Sequence, residues 1–291
     1  MKYVDFLREW LETYKKRQLK SSTYTNYCYN LRHLQPLYDK KVQQITAFDV
    51  QKIVNAMADK GLSQSTVKHV ITLLRQSMNK AIQLGYRADN PALCLDLPRF
   101  EREKVESLND IEIAQLLYHR GECIYSDVFL FLLNSGLRVG ELLALKYSDI
   151  NFQNGFINIA RSSYRGTVTT PKTSAGRRSI PLNDELRRIL RRTRTRKGLI
   201  FRNTNGDIID YGCLLKSWHR LQSVCGYRRR YGLHVFRHTF ATRLLRNHVD
   251  VKTISALLGH ANVNVTLNVY CDADVGLMQS AMASLDSSIF A

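Results

Sequence analysis

The spacing of apolar side chains follows the period of a helix over most of the chain and changes in one short region. Apolar residues recur every three or four positions through the first hundred residues and again after residue 108, as on one face of a helix. In residues 156–160 and 178–182 they alternate with polar residues, as in a half-buried strand. These two periods predict an α+β protein that is mainly helical and contains a small antiparallel β-sheet.

The first hundred residues are predicted to form a bundle of four helices. The first helix covers the apolar positions of 3–14, and the second is expected to end at Pro36, because proline lacks the N–H that a helix needs. Thr46 and Asp49 have the spacing of a capping box at the start of the third helix. Ser63 is expected to cap the fourth.

A charged stretch without an apolar period separates two parts of the chain. We predict a linker at residues 98–107, between an N-terminal helical domain at 1–97 and a second domain at 108–291. The net charge is +7 in residues 1–97 and +11 in the remainder. Because both parts are basic, a partner is expected to contact both.

The second domain begins and ends with helical patterns. Asn109 is expected to cap its first helix, and residues 127–135 to form a second helix that ends at a glycine. The two alternating segments are expected to form a hairpin with its turn at 173–176. A helix at about 183–196 and a short strand at 199–201 should follow.

Composition excludes several classes of protein. The 43 Lys and Arg residues against 25 Asp and Glu give a net charge of +18, yet 44% of the residues are apolar, which is too many for a disordered tail. The longest apolar run, Val128–Leu133, is far shorter than the ~20 residues that span a bilayer. We therefore expect a soluble cytoplasmic protein that binds nucleic acid in preference to an anionic membrane.

The cysteines do not indicate a metal or disulfide framework. The six cysteines are scattered and include no Cys-x-x-Cys pair, so neither a zinc ribbon nor a disulfide scaffold is predicted. His234 and His238 have a spacing that suits two imidazoles on one zinc ion. No glutamate lies between them, however, and we expect no metal.

Four local motifs could carry chemistry, although each has an ordinary structural interpretation. Arg138, in Gly-Leu-Arg-Val-Gly-Glu, could simply pair with Glu141 at i,i+3. Arg237 lies in His-Val-Phe-Arg-His, on the same helix face as the first histidine of that motif. His260 follows Leu-Leu-Gly and could be a capping or core histidine, and Tyr270 could be packed in its apolar segment.

The order of these motifs in a basic chain resembles the tyrosine recombinase (phage integrase) family over essentially the whole length. The resemblance implies an N-terminal core-binding domain and a C-terminal catalytic domain. It also implies a set of catalytic residues with Glu141 as the supporting acid. That set is Arg138, Lys172, His234, Arg237, His260 and Tyr270.

The chemistry of a DNA phosphodiester agrees with that assignment. Two guanidinium groups, Arg138 and Arg237, suit the charge that develops on the non-bridging oxygens. His260 could add a hydrogen bond, and His234 is the candidate base for Tyr270, because a free tyrosine has a pKa near ~10. Lys172 could protonate the leaving 5′-oxygen. The product would be a 3′-phosphotyrosyl link, formed without metal, ATP or another cofactor.

The expected partners follow from the resemblance and the charge. Double-stranded DNA is expected to contact Arg228, Arg229 and Arg230, which lie near the proposed scissile phosphate, and also Lys68 and Arg75. The resemblance implies a homotetramer on two recombination sites, with C-terminal tails exchanged between subunits, and it allows for an accessory directionality factor.

The sequence leaves two questions of function open. Integration, excision, inversion and resolution of DNA use the same chemistry, and we favour a mobile-element or inversion enzyme. The alternative to an enzyme is a non-catalytic, sequence-specific DNA-binding regulator on the same scaffold.

Overall fold

The computed structural model describes residues 1–100, 106–164, 166–169, 176–193 and 197–260, together with residues 262, 263 and 267. Its contacts divide the chain into two compact units, Met1–Glu103 and Lys104–Ala291. Each unit has its own buried apolar core. We refer to them as the N-terminal unit and the C-terminal unit.

The N-terminal unit is a helical bundle, as the apolar period predicts. Its α-helices are α1 (Tyr3–Trp10), α2 (Ser21–Leu31), α3 (Ala47–Asp59) and α4 (Gln64–Gln83). The apolar faces of α1, α3 and α4 lie in the core, and α2 packs against it through partly buried side chains. Tyr3, Leu34 and Leu74 are fully buried. The buried Tyr3 hydroxyl is hydrogen-bonded to the Ser77 hydroxyl of α4 at 2.8 Å, so the polar group of that side chain is satisfied.

The start of α3 and α4 confirms two predicted caps. The Thr46 hydroxyl accepts a hydrogen bond from the backbone N–H of Asp49, and the Asp49 carboxylate accepts one from the backbone N–H of Thr46. The Ser63 hydroxyl accepts the backbone N–H of Thr66. These side chains satisfy helix N–H groups that have no partner within the helix.

Pro36 does not end a helix in the way that was predicted. Helix α2 stops at Leu31, and the chain continues as a 3-10 helix at Arg32–Leu37 with Pro36 inside it. In an α-helix the ring of Pro36 would clash with the carbonyl of Arg32, four residues earlier. The tighter 3-10 turn starts at that residue and has a φ that fits the proline ring.

The C-terminal unit is mainly helical and contains short strands. Its α-helices are α5 (Asp110–Tyr118), α6 (Ser126–Ser135), α7 (Val139–Leu143), α8 (Asp184–Arg192), α9 (Tyr211–Val224), α10 (Val235–Arg246) and α11 (Val251–Leu258). Its strands are β1 (Ile150–Asn151), β2 (Phe156–Ile159), β3 (Ser162–Tyr164), β4 (Thr167–Thr169) and β5 (Arg178–Pro181). Asn109 caps α5 through the backbone N–H of Glu112, as predicted.

The strands form two antiparallel sheets in the described part of the chain, where the sequence predicts one. Strands β1, β2 and β5 form a three-stranded sheet in which Ile157 pairs with Ile180, and β3 pairs with β4. Residues 170–175, which include Lys172 and most of the predicted turn, lie outside the described residues.

The predicted strand at 199–201 is wrong. Leu199 makes a single isolated bridge to Lys146, and the N–H of Ile200 donates to the Leu145 carbonyl at 3.0 Å. Ile200 and Phe201 are both buried, although neighbouring residues in a strand point to opposite faces. Their apolar character reflects burial in the core and not sheet pairing.

Aromatic packing brings α10 against α6. The ring of Phe236 stacks on Phe129 with centroids 5.6 Å apart and also contacts Trp218 at 4.5 Å. Helix α6 ends at Gly136 in the left-handed conformation, with φ of +63°, and a Cβ there would clash with the ring of Phe240. Glycine therefore allows α10 to approach the end of α6 and the residues that follow it.

Within the described residues, no helix has both the length and the apolar character needed to cross a membrane.

Candidate active site

Arg138 lies at the junction between α6 and α7. Its backbone N–H donates to the Glu141 carboxylate at 2.9 Å, and one guanidinium nitrogen, Nη1, donates to the other carboxylate oxygen at 2.9 Å. The second guanidinium nitrogen, Nη2, donates to the Gly259 carbonyl at 3.3 Å. The side chain remains 39% exposed, so the i,i+3 pair with Glu141 holds an arginine that solvent can reach.

Glu141 is buried, with a side chain 3% exposed, and is shared by two arginines. Arg178, on β5, donates from Nη1 to Oε1 at 3.1 Å and from Nη2 to Oε2 at 2.9 Å. Burial would raise the pKa of Glu141, but the hydrogen bonds and charges of Arg178 and Arg138 together lower it. Glu141 is therefore a carboxylate at neutral pH.

Arg237 projects from the first turn of α10 and is 4% exposed. Its guanidinium donates to the Gly136 carbonyl at 2.9 Å and to the Leu258 carbonyl at 2.8 Å. It therefore connects the end of α6 with the end of α11. Through the Gly136 carbonyl, Arg237 lies next to the segment that carries Arg138.

The C-terminal end of α11 joins the three arginines. Three consecutive carbonyls, of Leu257, Leu258 and Gly259, accept hydrogen bonds from Arg178, Arg237 and Arg138 respectively. Carbonyls at the end of a helix lack partners within it and carry partial negative charge, so they suit cationic donors.

His260 follows this helix end directly. Gly259 takes the predicted left-handed cap conformation, with φ of +68°. The N–H of His260 donates to the Ser255 carbonyl at 3.1 Å. Together these features fix where the backbone of His260 lies.

Three histidines near the site have lowered pKa values, first because of burial and then because of neighbouring positive charge. Burial, followed by the charges of Arg237, Arg138 and Arg178, lowers the pKa of His260 to about 4. Burial and the same Arg237 and Arg138 charges lower the pKa of His234, the residue directly before the first turn of α10. Burial, His234 and Arg237 lower the pKa of His238 to about 4. All three side chains are therefore neutral at pH 7.

The structure thus brings together the sequence-predicted Arg138, Glu141, His234, Arg237 and His260. The predicted Lys172 and Tyr270 lie outside the described residues. The rings of His234 and His238 are 5.5 Å apart. Among the residues whose placement is described, no group of three or more His, Cys, Asp or Glu side chains could hold a metal ion.

Arg178 belongs to this site, although none of the sequence motifs includes it. In β5 it occupies the same face as the buried Ile180, because residues two apart in a strand point the same way. An arginine on the inward face of a strand needs a buried acceptor. That alternation is the signal that could have identified it.

The basic triplet before α10 lies on a loop at residues 227–231 that hydrogen bonds hold at both ends, and we call this segment the braced loop. The side-chain amide of Gln222 bonds to both the N–H and the carbonyl of Tyr231. The Tyr231 hydroxyl donates to the Glu112 carboxylate, and the Tyr227 hydroxyl to the Glu112 carbonyl. Between these anchors, the predicted DNA-contacting residues 228–230 are exposed, and Arg229 forms an ion pair with Glu106 at 2.9 Å.

The two basic residues predicted to contact DNA in the N-terminal unit differ. Lys68 is exposed on α4. Arg75, on the same helix, directs its guanidinium to the carbonyls of Ala92 and Leu93, at 2.7 and 3.2 Å. Arg75 therefore ties down the segment that follows α4, and DNA contact by Lys68 and Arg75 stays a prediction.

Comparison with known families accounts for most of the chain. Residues 98–276 match the phage integrase family, and residues 2–58 match the phage integrase N-terminal SAM-like domain. The first match alone covers more than half of the sequence and contains every residue of the site described above.

Proteins of similar sequence carry names from the same family. The tyrosine recombinase XerC-like protein of Caldanaerobacter subterraneus subsp. tengcongensis is 29% identical, over 91% of this chain and 78% of its own length. The tyrosine recombinase XerD of Oceanobacillus iheyensis is 25% identical, over 86% of this chain and 88% of its own length.

Solved structures share the fold. The Tn1549 transposon integrase, in complex with a circular intermediate DNA, superposes with a TM-score of 0.83 at 24% identity, covering 98% of this chain and 99% of that one. A lambda integrase tetramer bound to a Holliday junction gives 0.75 at 21% identity, covering 90% and 78%. The chain therefore belongs to the phage integrase family of tyrosine recombinases, the enzymes of site-specific DNA recombination.

Proposed function

We propose that this chain cuts and rejoins DNA strands through a 3′-phosphotyrosyl intermediate on Tyr270. The observation that carries the proposal is the convergence of Arg138, Arg178 and Arg237 on the end of α11, with Glu141 between two of them. Three guanidinium groups meet at this helix end with one carboxylate, which two of them share, so positive charge remains in excess where a phosphate could bind.

The proposed roles follow from the accessibility and charge of each side chain. Arg138 is the accessible guanidinium and would bind a non-bridging phosphoryl oxygen, with Arg237 beside it. His260 would donate a hydrogen bond to the same phosphoryl group. These contacts would strengthen as negative charge grows in the transition state, which lowers the barrier to attack.

Proton transfer would complete the reaction. The lowered pKa of His234 keeps its imidazole neutral at pH 7, so it can accept the proton of the Tyr270 hydroxyl as that oxygen attacks phosphorus. The bond from phosphorus to the 5′-oxygen breaks, and Lys172 would protonate the leaving oxygen. A 5′-hydroxyl from a partner strand would reverse the sequence and release Tyr270.

We further propose that double-stranded DNA is held by basic residues of both units, among them Lys68, Arg228 and Arg230. The active assembly would be a homotetramer on two sites with exchanged C-terminal tails, working in the cytoplasm and with an accessory directionality factor where direction is controlled. The relatives support DNA binding and multimers, since the solved lambda integrase includes a tetramer bound to a Holliday junction.

A suicide substrate tests the proposal. In a nicked duplex carrying the recombination site, cleavage releases a short fragment that diffuses away and traps the covalent adduct. The wild-type protein should form the adduct in EDTA, and Tyr270→Phe should form none. Arg138→Ala should lose cleavage with a much smaller loss of binding.

The same assay separates the enzyme from a non-catalytic regulator. A regulator would bind the site with normal affinity and form no adduct. An adduct that persists in Tyr270→Phe would also contradict the proposed nucleophile.

A further inference from the structure

We propose that Arg178 is a positioning residue for strand cleavage: it fixes both Glu141 and the end of α11, and through them the guanidinium of Arg138. The inference rests on the proposed function, because it concerns the same phosphate site. Arg178 itself is buried, with a side chain 6% exposed, so it would act through other residues and not on the phosphate.

The first link is a two-pronged contact with Glu141. Each carboxylate oxygen accepts one hydrogen bond from each arginine: Oε1 from the Nη1 groups of Arg138 and Arg178, and Oε2 from the Arg138 backbone N–H and the Arg178 Nη2. Two parallel N–H bonds from a planar guanidinium fix the plane of a carboxylate. Arg178 therefore fixes the orientation of the Glu141 carboxylate, and that carboxylate in turn orients the Arg138 guanidinium.

The second link is to α11. The Nε of Arg178 donates to the Leu257 carbonyl at 2.6 Å, and the next two carbonyls along the chain accept from Arg237 and Arg138. Arg178 thus holds a helix end that contacts both of the other arginines. Arg178 therefore bonds directly to Glu141, which orients Arg138, and to the helix end whose Gly259 carbonyl accepts a hydrogen bond from Arg138.

The positive charge of Arg178 also affects Arg138, because both arginines neutralise the same carboxylate. Glu141 is 3% exposed, so its charge is poorly solvated and needs cationic partners. With Arg178 absent, Arg138 would be the remaining arginine in contact with that carboxylate and would be drawn toward it. With Arg178 present the carboxylate is satisfied from both sides, and Arg138 retains positive charge for a phosphate.

Single-turnover cleavage of the nicked duplex at saturating protein tests the inference. Arg178→Met keeps a side chain of similar length without the charge, and Arg178→Lys keeps the charge without the two-pronged contact. We expect the rate constant to fall about 10- to 100-fold in Arg178→Met, by analogy with the loss that follows removal of a partner that orients a metal ligand. Arg178→Lys should recover only part of it.

The design separates positioning from folding. A purely structural defect lowers the fraction of protein that reacts and leaves the rate constant of the rest unchanged, whereas a positioning defect lowers the rate constant. Arg87→Met is the matched control, since Arg87 is also buried, at 5% exposed, and bonds to three carbonyls and a carboxylate in the N-terminal unit. Its rate constant should match the wild-type value.

A double-mutant cycle tests the route through Glu141. Arg178→Met and Glu141→Gln should be non-additive, with the double variant losing much less than the product of the two single losses. Multiplicative losses, or a wild-type rate constant in Arg178→Met, would overturn the inference. If Arg178→Met does not fold, a wild-type rate constant in Arg178→Lys would overturn it equally. Absence of any adduct from the wild-type protein would instead overturn the proposed function.

Discussion

Arg138, Arg178 and Arg237 belong to one site but differ in what their guanidinium groups can reach. Arg138 is 39% exposed, whereas Arg178 is 6% exposed and Arg237 lies between two carbonyls. The charge of a buried arginine acts through the low-dielectric interior, and only an accessible one can make a new bond without rearrangement. We therefore expect Arg138 to be the first of the three to meet a phosphate.

The depressed pKa values of His238 and His260 predict how stability depends on pH. Both values are about 4 in the folded protein, against 6.5 for an unperturbed histidine. Between these pH values the unfolded chain binds protons that the folded chain does not, so the free energy of unfolding falls as the pH falls. The full shift corresponds to about 2 kcal/mol for each histidine by pH ~5, and solvent screening of these partly exposed rings makes the expected loss smaller than that.

Urea denaturation at about pH 7.5 and about pH 5 checks this expectation. His260→Gln and His238→Gln should each lose less stability on acidification than the wild type, because the titrating group is gone. His69→Gln, on the exposed surface of α4, serves as the control. Equal losses in all four proteins would show that neither site histidine has a depressed pKa.

At the scale of elements, the sequence predicted most helices, because their boundaries depend on local chemistry. Thr46, Ser63 and Asn109 cap helices where the sequence places them, since a side-chain oxygen bonds the helix N–H groups a few residues away. Pro36 and the segment 199–201 were misread. At Pro36 the type of helix depends on how the turn closes, and at 199–201 the apolar residues are buried in the core without pairing in a sheet. Residue type and spacing alone do not determine either feature.

Sequence motifs identify only part of the site. The motif order identified Arg138, His234, Arg237 and His260, which the structure brings together. It did not reveal Arg178, whose partners Glu141 and Leu257 are 37 and 79 residues away in sequence. It also could not show that backbone carbonyls of α11 join the arginines, because carbonyls have no sequence signature.

The capping of α11 gives a test at this scale. Asp250 caps α11 through the N–H of Thr253 at 2.9 Å, and Asp210 caps α9 through the N–H of Cys213 at the same distance. Asp250→Ala and Asp210→Ala should lower the melting temperature by similar amounts. Only Asp250→Ala should also slow cleavage, because α11 carries the carbonyls that hold the arginines.

Melting curves and single-turnover cleavage of the nicked duplex measure the two effects. Asp250→Asn keeps an acceptor at the cap, so its melting temperature and its cleavage rate constant should both be close to the wild-type values. Equal slowing of cleavage by Asp210→Ala and Asp250→Ala would mean that the end of α11 has no special part in positioning the arginines.

For the whole molecule, the net charge of +18 predicts DNA binding that weakens steeply with salt. Each phosphate contact releases counterions, so removing one should reduce the slope of log affinity against log salt by about 0.9. Arg228→Ala, Arg230→Ala and Lys68→Ala should each do so. Arg192→Ala should not, because Arg192 pairs with Asp127 at 2.8 Å.

Binding isotherms at several salt concentrations give these slopes directly. A slope unchanged by Arg228→Ala and Arg230→Ala together would exclude the braced loop 227–231 from the DNA interface. If Arg192→Ala also reduces the slope of log affinity against log salt, DNA binding depends on the total positive charge of the protein and not on particular phosphate contacts.

The attachment point of DNA tests the central claim most directly. The sequence contains no Lys or Arg after Lys252, so trypsin leaves residues 253–291 as one peptide, in which Tyr270 is the only tyrosine. After adduct formation on the nicked duplex, nuclease and trypsin digestion followed by mass spectrometry should find nucleotide phosphate on that peptide. Nucleotide on a tyrosine of any other peptide, or no covalent nucleotide after incubation with the correct site, would contradict the account.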